Sequence, residues 1–387
     1  MAKRGNGEGS VYKQRNGLWA ASISIEGDKR KYFYGKTRKE VQEKLVAALQ
    51  EQKQGMLVAT PQQTVGQFLT DWLEHTHKHS VRPRTYERYE EALRLHLIPV
   101  LGKYRLQKLS AQHVQAFYAR MTEEGLSPST VIYYHSVLHN ALGTAVKWGL
   151  VSRNVCDLVT PPRKARFEIQ PFTPEQVQSF FAAIRGHKWE ALFTLALATG
   201  MRQGELLGLK WQDINFSTGT LQVRRMLTRV SSETSVRVFI EAEPKTQQSR
   251  RSITIASFAF EALKQHHLRQ VEIRLKADAL WEEHDYVFCT LVGTHLRPSH
   301  VVDEFKKLLK KANLPDIRFH DLRHSAATLL LSLGIHPKVV QEMLGHTQIS
   351  MTMDIYSHVL PSMQQDAVSK LNDLLMRHEE RGVVEDK

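Results

Sequence analysis

The residues with most chemical potential lie in "RFHDLRHSAATLLLSLG", residues 318–334. His320, Asp321, Arg323 and His324 crowd what reads as the first turn of a helix, and the rest is almost wholly apolar. His320 and His324 have the i, i+4 spacing of a helix-borne zinc pair. Two neighbours oppose a metal. Asp321 stands where a metalloprotease helix places glutamate, and Arg323 carries a permanent positive charge that repels a cation. An anion fits better. His320 and Arg323, three apart, share one face, and the free N–H groups and positive dipole end of a helix start attract phosphate. Taken alone, the stretch also reads as a charged helix start that caps itself.

Three further segments carry similar groups. In "ATGMRQGELLGLKW" (198–211), Gly200 breaks one helix and Arg202 heads another. Glu205 follows one turn on, and Leu206, Leu207 and Leu209 anchor the segment. An arginine so presented makes a phosphate fork that a carboxylate can hold in place; the plain alternative is an internal Arg–Glu pair. "EPKTQQSRRSITI" sets Lys245 in a turn before a strand, where a lone lysine is usually just solvated. "MLGHTQISMTMDIYSHV" has His346 after a helix-ending Gly345 and Tyr356 between apolar neighbours, the usual setting of a core tyrosine. "GKT" at Gly35–Thr37 hints at an ATP-binding phosphate loop, but that loop needs glycine where Arg30 stands.

These groups need a scaffold. The length of 387 residues predicts about two or three domains. Residues 1–58 read as a small sheet plus a helix. Asn16-Gly17 is a hairpin turn signal, "LWAASISI" places Trp19, Ala21, Ile23 and Ile25 on one face of a strand, "EGDKR" turns again, and "KYFY" is a third strand. "TRKE" (37–40) then has capping-box spacing. Residues 64–163 read as a helical domain, with Pro83, Ser110 and Pro128 near helix starts and Gly125 and Gly149 past helix ends. A linker runs through "TPPRKARFEIQPF" (160–172). Residues 172–387 are mixed, opening on the capping-box match "TPEQ" (173–176), with short strands near "TGTLQVRRM", "SVRVFIEA" and "RRSITI". The expected fold class is therefore multidomain, mainly α with small β-sheets.

Charge points to a polyanion. Lys and Arg number 53 against 40 Asp and Glu, a formal +13, with a pI near 9.6. Such an excess suits nucleic acid. Residues 1–63 hold 12 Lys/Arg against 6 Asp/Glu, and a basic, aromatic sheet suits a DNA groove as β-ribbon readers do; a dimerisation module is the rival reading. Base contacts are assigned to Tyr32, Phe33 and Tyr34 in the third strand and to Arg82, Arg84 and Thr85 at a helix start. Two distant cysteines, Cys156 and Cys289, give neither a disulfide framework nor a zinc knuckle and point to a reducing, intracellular setting. "MAKRGNGEGS" has no apolar run behind it. No apolar stretch approaches the roughly 20 residues that span a bilayer, so no membrane partner is expected.

Taken in order, the segments "TGMRQGELLGLKW", a lysine before a strand, "HDLR", "LGH" and "DIYSHV" resemble the tyrosine site-specific recombinases, the family of phage and integrative-conjugative-element integrases. The likeness covers nearly the whole chain. It implies an arm-site DNA-binding domain at 1–58, a helical core-binding (SAM-like) domain at 64–163, and a mixed α+β catalytic domain at 172–387 ending in a helical tail. One departure is a long segment, roughly 224–243, before Lys245.

The resemblance implies that Arg202 and Arg323 clamp a phosphodiester, that Tyr356 attacks it, and that His320 takes the tyrosine proton. His346 would hydrogen-bond the phosphate, Lys245 would protonate the departing 5′ oxygen, and Glu205 would orient Arg202 or His320. A 3′-phosphotyrosine and a free 5′ hydroxyl result, and one ester replaces another, so neither ATP, metal nor other cofactor is expected. The implied partners are double-stranded DNA at core-type and arm-type sites, further copies of the chain in a homotetramer, and a host bending protein and excision factor. The implied location is the bacterial cytoplasm, at the nucleoid. The tail "MQQDAVSKLNDLLMRH" spaces Ala367, Leu371, Leu374 and Leu375 as an amphipathic helix, suited to a neighbouring subunit or to its own domain. Two rival functions are a type IB topoisomerase-like nicking enzyme and a non-catalytic DNA-binding regulator.

Overall fold

The computed structural model describes residues 9–25, 29–53, 63–164, 170–231, 237–243 and 250–355, together with 368, 369, 371, 372 and 375. The chain divides into two compact units, Met1–Arg166 and Phe167–Lys387.

In the first unit, β1 (Ser10–Lys13), β2 (Trp19–Ile25) and β3 (Lys29–Gly35) form an antiparallel sheet in that order. Asn16-Gly17 makes the first turn: the Leu18 N–H donates to Asn16 Oδ1 at 3.2 Å, and Gly17 sits at φ +86°. The second turn, at 26–28, lies outside the described residues. Helix α1 (Arg38–Lys53) packs Val41 and Leu45 onto Ala21 and Ile23. Thr37 Oγ1 accepts from the Glu40 N–H at 3.2 Å, while the Glu40 carboxylate accepts from Lys36 N–H at 3.0 Å, one residue earlier than a strict capping box. The sheet is a period-2 object with two unlike faces. Phe33 packs on the core side, whereas Tyr12, Tyr32 and Tyr34 stay exposed. Ala20 and Ser22 lie opposite those tyrosines in register and are buried despite facing away from the core.

The helical part follows. Helix α2 (Val65–Asp71) opens on a Thr64–Gln67 capping box and continues into a π-helical turn, Trp72–His77. Helix α3 (Pro83–Ala92) runs through another π turn, Leu93–Leu97, into α4 (Ile98–Leu101). Pro99 has no N–H to give an i−4 carbonyl, and ahead of it the winding widens, with the Ile98 N–H on Leu93 O. Helix α5 (Ala111–Glu123) starts at Ser110, and α6 (Pro128–Lys147) starts at Ser127. Phe68, Trp72, Phe117 and Leu138 fill the centre, and Trp72 Nε1 donates to Thr144 Oγ1 at 3.2 Å. Arg82 and Arg84 are exposed at the start of α3, and Thr85 is half-buried.

The second unit opens on α7 (Pro174–Ile184), capped by Thr173 and Gln176. Helix α8 (Glu190–Thr199), the "ALFTLALA" stretch, is buried on nearly every side. Its Phe193 meets Phe180 and Phe305 at ring distances of 5.9 and 5.8 Å. Short α9 (Gln203–Leu207) follows, then β4 (Ile214–Asn215) and β5 (Thr220–Val223). The long segment before Lys245 contributes a separate antiparallel strand pair, β6 (Met226–Ser231) with β7 (Arg237–Ala242). β8 (Arg251–Thr254) returns to pair with β5, giving the order β4-β5-β8. Helices α10 (Ser257–Ala277), α11 (Pro298–Lys311), α12 (Asp321–Ser332) and α13 (Pro337–Leu344) complete the unit. Among the described residues no helix is long and apolar enough to cross a membrane.

Candidate active site

Arg202 is presented by a helix break and a helix start. Helix α8 ends in Gly200 at φ +61°, and a Cβ there would sit 2.3 Å from Leu344 Cδ2, so both the turn and the close approach require glycine. Arg202 then caps α9. Its backbone N–H donates to Glu205 Oε2 at 3.0 Å and its Nη1 to Glu205 Oε1 at 2.8 Å. Its Nη2 reaches Gly345 O at 3.4 Å. The arginine side chain keeps 33% of its surface exposed, while Glu205 keeps 3%. Burial works against the Glu205 charge, but Arg251 and then Arg202 outweigh it and hold the carboxyl below its ordinary pKa. Glu205 therefore orients Arg202, the first of the two partners expected for it.

The second arginine comes from α12. His320 caps this helix and Asp321 begins it. The Asp321 carboxylate accepts from the Arg318 N–H at 2.8 Å and from its guanidinium at 2.8 and 3.1 Å, which closes the turn. Arg323 is buried. Its Nη1 donates to Gly200 O at 2.7 Å, while its Nη2 is buried with no partner among the described residues. Burial, followed by the charge of Arg202, depresses its pKa to about 9, with Glu205 pulling the other way. His320 is exposed, with its ring packed on one side 5.2 Å from that of His324, edge to face. Loss of water around the ring, then His324 and Arg323, bring the His320 pKa to about 4. The same loss of water lowers that of His324, whose Nδ1 has no partner among the described residues.

His346 closes the cluster. Helix α13 ends at Gly345, φ +69°, and the next residue turns inward. Gln341 locks the turn, accepting the His346 N–H on its carbonyl and donating its side-chain amide to His346 O, both at 3.1 Å. Nδ1 is hydrogen-bonded to Thr352 Oγ1 at 2.9 Å. Burial, then Arg323 and Arg202, push the His346 pKa down to about 3. A histidine protonated at about 6.5 when unfolded and at about 3 when folded binds its proton less well in the fold. Its contribution to stability is complete above pH 6.5 and is lost as pH falls toward 3. His346→Asn is expected to make the decline in unfolding free energy between pH 6.5 and 4, read from urea titrations, shallower by up to about 1.4 kcal/mol per pH unit; an unchanged slope in that variant contradicts it.

Of the residues expected from the sequence, Arg202, Glu205, Arg323 and His346 are thus brought together, with His320 beside them. Lys245 and Tyr356 lie outside the described residues. Tyr32 and Tyr34 share the exposed face of the N-terminal sheet, whereas Phe33 faces the core under Lys31. One residue sequence reasoning missed is Arg251. Its Nη2 donates to Glu205 Oε2 at 2.9 Å and its Nε to Met343 O at 2.6 Å. "RRSITI" showed a strand, but nothing local marked this arginine as an inward one. Among the described residues no group of three or more His, Cys, Asp or Glu could hold a metal.

Two arginines, a buried carboxylate that fixes one of them, and a buried histidine thus form a compact cluster suited to holding an anion. The phage integrase family pattern matches residues 170–363, and that of the phage integrase N-terminal SAM-like domain matches residues 64–122. The chain belongs to the phage integrase family and is a site-specific DNA recombinase. A tyrosine recombinase XerC-like protein of Caldanaerobacter subterraneus subsp. tengcongensis is 36% identical, the match covering 97% of this chain and 100% of that one. The ICEBs1 integrase of Bacillus subtilis is 28% identical over 76% of this chain and 79% of its own. The fold is similar to that of the Tn1549 transposon integrase in complex with a circular intermediate DNA (TM-score 0.67, 23% identity, 79% of this chain and 99% of that one). It is also similar to lambda integrase bound as a dimer to a COC′ core site (TM-score 0.56, 18% identity, 92% and 96%).

Proposed function

We propose that this recombinase cuts and rejoins DNA through a 3′-phosphotyrosine on Tyr356, and so integrates and excises a mobile element. The observation that carries the reading is the buried Nη2 of Arg323, without a partner among the described residues and close enough to Arg202 for the two charges to repel. A buried guanidinium with an unpartnered Nη2 beside a second, half-exposed one calls for an anion in addition to Glu205, and a phosphodiester supplies one. Arg202 and Arg323 contact its non-bridging oxygens and stabilise the charge that grows in the transition state. His320, neutral at pH 7, takes the phenol proton as Tyr356 attacks. If Thr352 donates to Nδ1 of His346, the proton of that ring sits on Nε2, the tautomer that donates to phosphate. Lys245 protonates the departing 5′ oxygen, a step that general-acid catalysis speeds by about 10²–10⁴. A free 5′ end from the partner duplex then attacks the phosphotyrosine. No step requires ATP or a metal.

In this reading residues 1–58 engage arm-type sites through the exposed Tyr32 and Tyr34 face, residues 64–163 engage core-type sites from the start of α3, and residues 172–387 cut. Four copies assemble on paired sites, aided in the bacterial cytoplasm by a host bending protein and an excision factor. Val368, Leu371 and Leu375 of the tail are helical and at least 55% exposed, at spacings of three and four. That apolar stripe suits a neighbouring subunit. Deleting residues 361–387 is expected to abolish tetramers on DNA in native gels while single-site binding stays within a few-fold; unchanged tetramer formation contradicts it. The overall reading is tested with plasmids carrying the element's two attachment sites. Recombinant product only when both sites are present supports it. Relaxation of a supercoiled plasmid lacking any site, with no recombinants, marks a nicking topoisomerase instead.

A further inference from the structure

We propose that Arg251 is a positioning residue that couples the two arginine-bearing and histidine-bearing segments of the active site into one geometry. The proposal rests on the catalytic roles given to Arg202 and His346 above. Arg251 opens β8 and its side chain is 6% exposed. One end of its guanidinium holds the Glu205 carboxylate, with Nη2 at 2.9 Å from Oε2 and Nη1 at 3.5 Å from Oε1. The Nε holds Met343 O at 2.6 Å, in the last turn of α13.

Both contacts lead to the reacting phosphate. Glu205 grips Arg202 through the backbone N–H and Nη1, so Arg251 and Arg202 share both oxygens of one carboxylate. Met343 lies three residues before His346, and Gly345 between them passes directly over the guanidinium. A Cβ on Gly345 would sit 2.9 Å from Arg251 Nη1. The tight turn that aims His346 inward is thus built against Arg251. Arg251 also begins the strand that follows Lys245, six positions on in sequence. Planarity explains the choice of residue. A guanidinium reaches a carboxylate and a carbonyl in fixed directions at once, which a lysine ammonium, a single point of charge on a flexible stem, does not. Displacement of a catalytic group by about 1 Å can cost on the order of 10²-fold in rate, so loosening this clamp acts on chemistry without touching DNA.

The test uses the full chain and a nicked suicide substrate carrying the core site, with single-turnover rate of covalent adduct formation, DNA affinity and thermal midpoint measured for each variant. Arg251→Gln is expected to slow adduct formation about 10²-fold while DNA affinity stays within threefold. Arg251→Lys, which keeps the charge beside Glu205 and loses the fork, is expected to recover only part of the rate; it decides the matter if the glutamine variant does not fold. Arg251→Gln combined with Glu205→Gln is expected to be slower than Glu205→Gln alone but faster than the product of the two single effects, because the two share the route through Arg202 while Arg251 also holds the turn before His346. Arg202→Ala serves as the control on the underlying reading. If Arg202→Ala fails to cleave while both Arg251 variants cleave at the wild-type rate, or slow only in proportion to lost DNA binding, the positioning role is wrong and the active site stands. If Arg202→Ala itself cleaves normally, the reading beneath the proposal is wrong.

Discussion

Tyr356→Phe is expected to form no covalent adduct on a nicked suicide substrate, even after overnight incubation, while binding the same DNA within about twofold of wild type. The substitution removes one oxygen atom. That atom is the nucleophile in the proposed mechanism, and no water-mediated detour leaves protein attached to a 3′ phosphate. Losing the nucleophile from a covalent mechanism costs on the order of 10⁶ in turnover, so the expected result is absence rather than slowness. A phenol of pKa about 10 is a weak nucleophile at neutral pH. In the proposed mechanism two features make it competent: His320, with its pKa brought to about 4, is neutral at pH 7 and can take a proton, and the paired guanidinium groups of Arg202 and Arg323 favour the negative charge that develops. Adduct formation by the wild-type chain should therefore hold through neutral pH and fall in acid as His320 becomes protonated. Adduct on a denaturing gel in the phenylalanine variant, or adduct mapped by mass spectrometry to another residue, removes Tyr356 from the mechanism.

How much of this was legible beforehand depends on whether a residue's role is local. Arg202 with Glu205, and His320 with Asp321 and Arg323, each lie within one helical turn, and spacing alone put them on helix starts, where they are found. Gly200 and Gly345 were legible as helix breaks, and both have the positive φ that a break requires. Arg251 was not legible because its partners are remote: Glu205 is 46 positions away and Met343 is 92. Strand β6 was hidden because β5 and β6 are nearly continuous in sequence, parted only by Arg224 and Arg225, yet belong to different sheets. Arg225 and Asp213 bind at that corner, a contact that no periodicity announces. The third strand shows the opposite case. Period-2 alternation was enough to separate Phe33 from Tyr32 and Tyr34, and naming all three as DNA contacts passed over it.

Replacing Arg323 separates stability from activity more sharply than replacing Arg202. The Arg323 side chain is 4% exposed overall, and its pKa, brought down to about 9 by burial and then by Arg202, is still above neutral, so the group remains charged in the fold at pH 7. A cation whose pKa is lowered on folding destabilises the fold below that pKa, and each unit of lowering corresponds to about 1.4 kcal/mol. Against this stands the hydrogen bond to Gly200 O, of net value about 1 kcal/mol. The electrostatic cost is larger. Arg323→Met, similar in reach and uncharged, is therefore expected to raise stability in the absence of DNA by about 1–3 kcal/mol, as when buried ionic groups are replaced by apolar ones. In the proposed mechanism the same variant loses a charge that binds the phosphate, and its single-turnover cleavage should fall by at least about 10²–10³. Arg202→Met should lose cleavage similarly but gain no stability, because Arg202 is a third exposed and leaves the buried Glu205 with one cation fewer. Thermal melts with and without core-site DNA distinguish the two. DNA should stabilise the wild-type chain more than Arg323→Met, since only the former holds a guanidinium that the phosphate relieves. An Arg323→Met chain that melts well below wild type without DNA, or that cleaves at the wild-type rate, would show that this arginine is an ordinary structural ion and not a charge held in waiting for the scissile phosphate.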